Sequence, residues 1–148
     1  AGFELFVISN QPSHAKAKTS LENIREIHRR FEASLLGQGV RFGDCYYCYH
    51  HPKGVTPGFS GPCECRKPSP FFIQKAVRER GVEPGRSWMV GDRDTDVQCG
   101  ADGGCRTVLI LNGHSSAHHG KSRPDFTAAS LSEAVEIILK NGGPSAVG

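Results

Sequence analysis

A chain of 148 residues, 37% hydrophobic and 22% charged, has the composition of one soluble globular domain able to bury a single core. A net charge of +3 without a basic run interleaved with aromatics argues against nucleic acid as a partner. No apolar run reaches membrane-spanning length, and residues 1–8 lack the basic start and long apolar core of a secretory leader. The expectation is a cytoplasmic monomer with neither membrane nor nucleic-acid partners.

Phe3 to Ser9 is a short apolar run that predicts a buried strand, ending in the polar turn Asn10-Gln11-Pro12-Ser13. Thr19 and Glu22 form a capping-box pattern. Behind it Leu21, Ile24, Ile27, Phe31 and Leu35 recur at helical spacing until Gly37 and Gly39 close the segment. Cys45 to Tyr49 predicts a second strand, and Pro70 to Arg80 a second helix with Ile73, Ala76 and Val77 inward and Gly81 as its stop. Ser87 to Val90 is the third predicted strand, followed by Asp92 to Asp96 and a short helix rich in small residues. Thr107 to Leu111 is the fourth strand, and Asn112 to Pro124 a polar loop with three histidines. Asp125 to Ala128 predicts an edge strand before a last helix opened by Ser130 and Glu133 and ended by Gly142-Gly143. Strand and helix alternate, which predicts an α/β fold with a doubly wound parallel sheet, in one domain without repeats or linkers.

Two pairs of soft ligands, Cys48 with His50 and Cys63 with Cys65, flank a loop holding Pro52, Gly54, Pro57, Gly58, Gly61 and Pro62. Three thiolates and an imidazole suit four-coordinate Zn²⁺. His51 is an equally placed imidazole, and cross-linking of the two pairs as disulfides is the alternative use of the thiols. Cys45, Cys99 and Cys105 lie among apolar or small residues and read as buried thiols.

Ligands of open α/β sheets bind beyond the carboxyl ends of the strands. Three polar clusters fall there: Ser9-Asn10-Gln11, Arg66-Lys67, and Asp92 to Asp96. A hydroxyl, an ammonium and carboxylates together suit a phosphate with Mg²⁺. Singly, each has a bland use: a turn cap, a solvated cation, a helix N-terminus.

Val7-Ile8-Ser9-Asn10-Gln11, Cys63-Glu64-Cys65-Arg66-Lys67-Pro68 and Val90-Gly91-Asp92-Arg93-Asp94-Thr95-Asp96 resemble motifs II, III and IV of the haloacid dehalogenase superfamily phosphatases. The zinc loop, with Cys48-Tyr49-His50-His51-Pro52, is similar to that of heptose bisphosphate phosphatases and of histidinol-phosphate phosphatases. The resemblance runs from Phe3 to about Lys140 and implies a Rossmann-like sheet without a cap domain. It implies that Ser9 and Lys67 act on the transferring phosphoryl group and that Asn10, Gln11 and Arg66 contact a sugar phosphate. Asp92 would bind Mg²⁺, supported by Asp96 one helical turn on, and Cys48, His50, Cys63 and Cys65 would hold a structural Zn²⁺. The implied substrate is the 7-phosphate of a heptose 1,7-bisphosphate of lipopolysaccharide synthesis.

The family's nucleophile belongs to an Asp-x-Asp-x-Thr/Val motif upstream of the serine strand. Here the similar string Asp92-Arg93-Asp94-Thr95 follows the lysine and has its threonine one position early, so it reads as motif IV. The nucleophile and its strand are therefore expected upstream of Ala1. Pro12-Ser13-His14-Ala15-Lys16 also departs from the glycine-containing turn of the heptose enzymes. A zinc-stabilised phosphate-binding module without catalysis is the rival from another class.

Overall fold

The computed structural model describes residues 2–142, which form two compact units: Glu4–Arg66, and the chain from Lys67 onward together with residues 2–3. Gly143, expected to help end the last helix, lies outside the described residues.

In the first unit, strand β1 (Leu5–Asn10) pairs in parallel with β2 (Phe42–Cys48), and helix α1 (Leu21–Leu36) is the crossover. Pairing of Leu5 with Phe42 starts β2 earlier than the sequence predicts, and the pairing ends with Ser9 beside Tyr47 and Asn10 beside Cys48. The cap of α1 is Ser20, whose hydroxyl accepts the Asn23 N–H at 3.0 Å, while Thr19 instead receives the Asn23 side chain. Ile24 and His28 are the buried residues of α1, and His28 stacks on Tyr47 with ring centroids 3.6 Å apart. Ile27 and Phe31, which recur at helical spacing with Ile24, are exposed.

The second unit contains α2 (Phe71–Arg80), β3 (Trp88–Gly91), α3 (Asp94–Asp102), β4 (Arg106–Ile110), β5 (Phe126–Ala128) and α4 (Leu131–Gly142). The strands form a parallel sheet in the order β3-β4-β5. β4 is central and buries Thr107, Val108 and Leu109; Val108, Ala128 and Ala134 form a cluster against which Trp88, Val90, Phe126, Ile137 and Ile138 pack. Continuous apolar character is what a strand covered on both faces requires.

Helix α2 ends where expected: Gly81 adopts φ 68° and its N–H bonds the Val77 carbonyl at 3.1 Å, a left-handed cap that favours glycine. Ile73 and Ala76 of α2 are buried, but Val77 is exposed. At the start of α4, Ser130 Oγ accepts the Glu133 N–H, and Glu133 reaches back to the Ala129 N–H. The described strands are thus all parallel and form two sheets. No helix among the described residues is long and apolar enough to cross a membrane.

Candidate active site and metal centre

The end of the β1–β2 sheet sets one cluster. Cys48 is the last residue of β2 and is fully buried; His50, Cys63 and Cys65 return to it through the loop, and their ligand atoms lie within 4.8 Å of one another. The S···S separations are 3.6 Å for Cys48–Cys63, 3.2 Å for Cys48–Cys65 and 3.8 Å for Cys63–Cys65, and His50 Nδ1 is 4.0 and 3.7 Å from the Cys48 and Cys65 sulfurs. A tetrahedral ion with metal–sulfur bonds of about 2.3 Å and a metal–nitrogen bond of about 2.0–2.1 Å makes S···S edges of about 3.8 Å and S···N edges of about 3.5 Å. The donor set fits that polyhedron. All six cysteines are free thiols, so the disulfide use of this loop is not adopted. Burial pushes the Cys48 and Cys65 thiols up, whereas a bound cation would favour their thiolates.

The structure separates the two adjacent histidines. His51 turns away, and its Nδ1 accepts the Lys53 N–H at 3.0 Å, which makes it part of the loop's own turn. Its backbone binds Phe59 and Gly61, while Val55 and Thr56 are tied to Ala15 and His14, so the loop is fastened to the segment after β1. Of the other thiols, Cys99 is buried and bonds the Ser69 carbonyl at 3.2 Å, whereas Cys45 and Cys105 are only half-buried.

Ser9 and Asn10 occupy the carboxyl end of β1. Gln11 follows, its N–H bonding the Cys48 carbonyl at 2.7 Å and its side-chain amide donating to Ser9 Oγ at 3.1 Å. The serine hydroxyl is thereby held by the same strand end that begins the metal loop. Arg66 donates to the His50 carbonyl at 3.1 Å, closing that loop from its other end.

In the second unit, Lys67 and Asp96 form a buried ion pair, with Nζ 2.7 Å from Oδ1. Asp96 is the third residue of α3, and its Oδ2 accepts the N–H groups of Asp92 and Arg93, each at 3.1 Å. Both its oxygens are engaged, so Asp96 ties the lysine to the backbone turn that carries Asp92. Gly91 makes this turn possible, since a Cβ there would collide with the Asp96 side chain. Asp92 follows β3 directly, and its carboxylate Oδ2 meets the Asn112 amide at 3.5 Å.

The loop after β4 reads in the sequence only as polar and histidine-rich. The structure brings Asn112, Ser115 and His119 to Asp92, with His119 Nε2 2.8 Å from the Asp92 carbonyl. Asp94 accepts the Ser122 hydroxyl at 2.5 Å and the Lys121 and Ser122 N–H groups at 2.9 and 3.1 Å, and these bonds, the hydroxyl's foremost, hold its carboxyl below the usual range. The loop's run of hydrogen-bonding residues was the only available sign, and it named no partner.

A family model described as HAD-hydrolase-like matches residues 64–134. The chain is 32% identical to D-glycero-beta-D-manno-heptose-1,7-bisphosphate 7-phosphatase of Yersinia pestis over 93% of its own length and 73% of the relative's. It is 32% identical to the corresponding phosphatase of Chlorobaculum tepidum over 91% of the chain and 72% of that relative. Among solved structures it is similar in fold to the D,D-heptose 1,7-bisphosphate phosphatase from B. bronchiseptica, complexed with magnesium and phosphate. That match has a TM-score of 0.77 at 24% identity and covers 93% of this chain and 74% of the other.

Proposed function

This chain belongs to the HAD-like hydrolases and is related to the heptose bisphosphate 7-phosphatases over most of its length, and on that premise we propose that it is part of a phosphomonoesterase acting on a sugar phosphate. The proposed substrate is the 7-phosphate of a D-glycero-D-manno-heptose 1,7-bisphosphate. The supporting observation is the Lys67–Asp96 pair, buried and bonded to the turn that presents Asp92. A buried lysine–carboxylate pair costs desolvation and gains little net stability over an apolar pair, so it favours a use beyond packing.

In this proposal Ser9 and Lys67 contact the transferring phosphoryl group, and Asn10, Gln11 and Arg66 contact the rest of the substrate. Asp92 holds Mg²⁺ through carboxylate oxygen, the hard donor that cation prefers, and Asp96 supports the site through the Asp92 N–H. When bound, Mg²⁺ would offset charge on the phosphoryl oxygens. The Cys48, His50, Cys63 and Cys65 set holds Zn²⁺ with four protein ligands, a closed arrangement suited to a structural role. The proposal assigns the nucleophile to an aspartate upstream of Ala1. Its carboxylate forms the new O–P bond as the sugar oxygen leaves and takes a proton, and water then hydrolyses the aspartyl-phosphate.

The test is phosphate release by the full-length protein from heptose 1,7-bisphosphate, histidinol phosphate and simple phosphomonoesters, with Mg²⁺ present. The proposal expects the heptose bisphosphate to have the highest kcat/KM. Preference for histidinol phosphate would move the assignment to the amino-alcohol substrate. Binding without turnover on every ester would establish the non-catalytic module instead.

A further inference from the structure

The contacts around Asp92 close into a ring. The Asp92 carbonyl can only accept, so His119 Nε2, 2.8 Å away, carries a proton and donates it. Ser115 Oγ lies 3.2 Å from the same nitrogen and donates its own hydrogen to Asn112 Oδ1 at 2.8 Å, where the Ser115 N–H also donates at 2.9 Å. Two donors on one amide oxygen decide which way Asn112 faces, and its NH₂ is turned toward Asp92 Oδ2 at 3.5 Å. The path leaves Asp92 through its backbone carbonyl and returns to its carboxylate. Ser115, in the middle, is 1% exposed, so water does not compete for its hydroxyl. Outside the ring, the Asp94 carboxylate fastens the far end of the loop at Lys121 and Ser122.

We propose that Asn112, Ser115 and His119 are positioning residues that orient the Asp92 carboxylate, engaging Oδ2 and presenting Oδ1 to the cation. This rests on the reading of Asp92 as an Mg²⁺ ligand. Side chains that orient a metal-binding carboxylate change metal affinity or activity by about 10- to 100-fold when removed.

The experiment is calorimetric titration of the full-length protein with Mg²⁺ alone, with circular dichroism as the check on folding. His119→Ala and Asn112→Ala are each expected to weaken Mg²⁺ binding by about 10-fold or more. His119→Gln should recover most of the loss, because the glutamine amide offers an N–H where Nε2 stood. In turnover assays the Ala variants should need more Mg²⁺ for half-maximal rate and approach the parental kcat at saturation. Folded Ala variants that bind Mg²⁺ within twofold of the parent would overturn the inference while leaving the phosphatase reading intact. A parent that binds no Mg²⁺ would overturn both. Should the Ala variants fail to fold, Ser115→Ala, which removes one hydroxyl, decides: unchanged affinity overturns the inference, and weaker binding supports it.

Discussion

The Lys67 ammonium and the Asp96 carboxylate meet at 2.7 Å with 10% and 7% of their side chains exposed, and the second oxygen of Asp96 receives the N–H groups of Asp92 and Arg93. One buried carboxylate thus joins a cation from the segment before α2 to the turn after β3. Three donors satisfy that carboxylate, so it holds the lysine and the turn together.

Lys67→Met should therefore destabilise the protein by about 3–5 kcal/mol, the cost of leaving one buried charge without its partner. Urea unfolding of parent and variant measures it. A difference under about 1 kcal/mol would match a pair screened by solvent rather than one held in the interior.

Asp92 and Asp96 should respond differently to loss of charge. Asp92→Asn keeps the fold and lowers turnover by on the order of a hundredfold or more, since it weakens an oxygen donor to the proposed Mg²⁺. Asp96→Asn lowers the unfolding midpoint as well, because Lys67 loses its counter-charge. Parallel thermal melts and Mg²⁺ titrations separate the two, and equal Mg²⁺ affinity in Asp92→Asn and parent would show that another residue holds the cation.

The thiol cluster should bind one Zn²⁺ per chain, with an X-ray absorption signature of three sulfurs at about 2.3 Å and one nitrogen at about 2.0–2.1 Å. Chelation should raise hydrogen exchange across residues 48–66, and Mg²⁺ should not reverse it, because that cation prefers six oxygens. Replacement of His50 by Ala should lower zinc content, whereas replacement of His51 should not, since His51 Nδ1 is committed to Lys53. Equal loss of zinc from both would contradict the assignment of His50.

Asp125 carries a pH dependence remote from the candidate site. Its carboxylate accepts the Thr107 hydroxyl at 2.8 Å and the Thr107 N–H at 2.7 Å, and these bonds hold its pKa below the ordinary value. A depressed folded pKa contributes stability above the unfolded value of about 3.9, and that stability is lost as pH falls through the folded value. The carboxylate is exposed, so Asp125→Asn should cost only about 1 kcal/mol at neutral pH. Denaturant titrations between pH 5 and 2 (an acid range set by that unfolded value) should show a shallower loss in the variant than in the parent. Superimposable slopes would remove Asp125 from the acid response.

The order of strands and helices, the Gly81 stop and the Ser130–Glu133 cap were legible in the sequence because each is a local property of a few consecutive residues. The gathering of Cys48, His50, Cys63 and Cys65 was legible for a related reason: two short-range pairs of soft donors mark the candidates before any fold is known. Only the tertiary structure placed His50 beside the three thiols and gave the His51 ring to the loop's own turn, because that placement depends on which imidazole the loop's hydrogen bonds consume. It also placed Ile27 and Phe31 at the surface, since periodicity marks an apolar face without saying what covers it. The clasp on Asp92 lay furthest from view. Asn112, Ser115 and His119 reach it across β4 and its loop, and a hydrogen bond between residues 27 positions apart leaves no period or spacing in the chain that makes it.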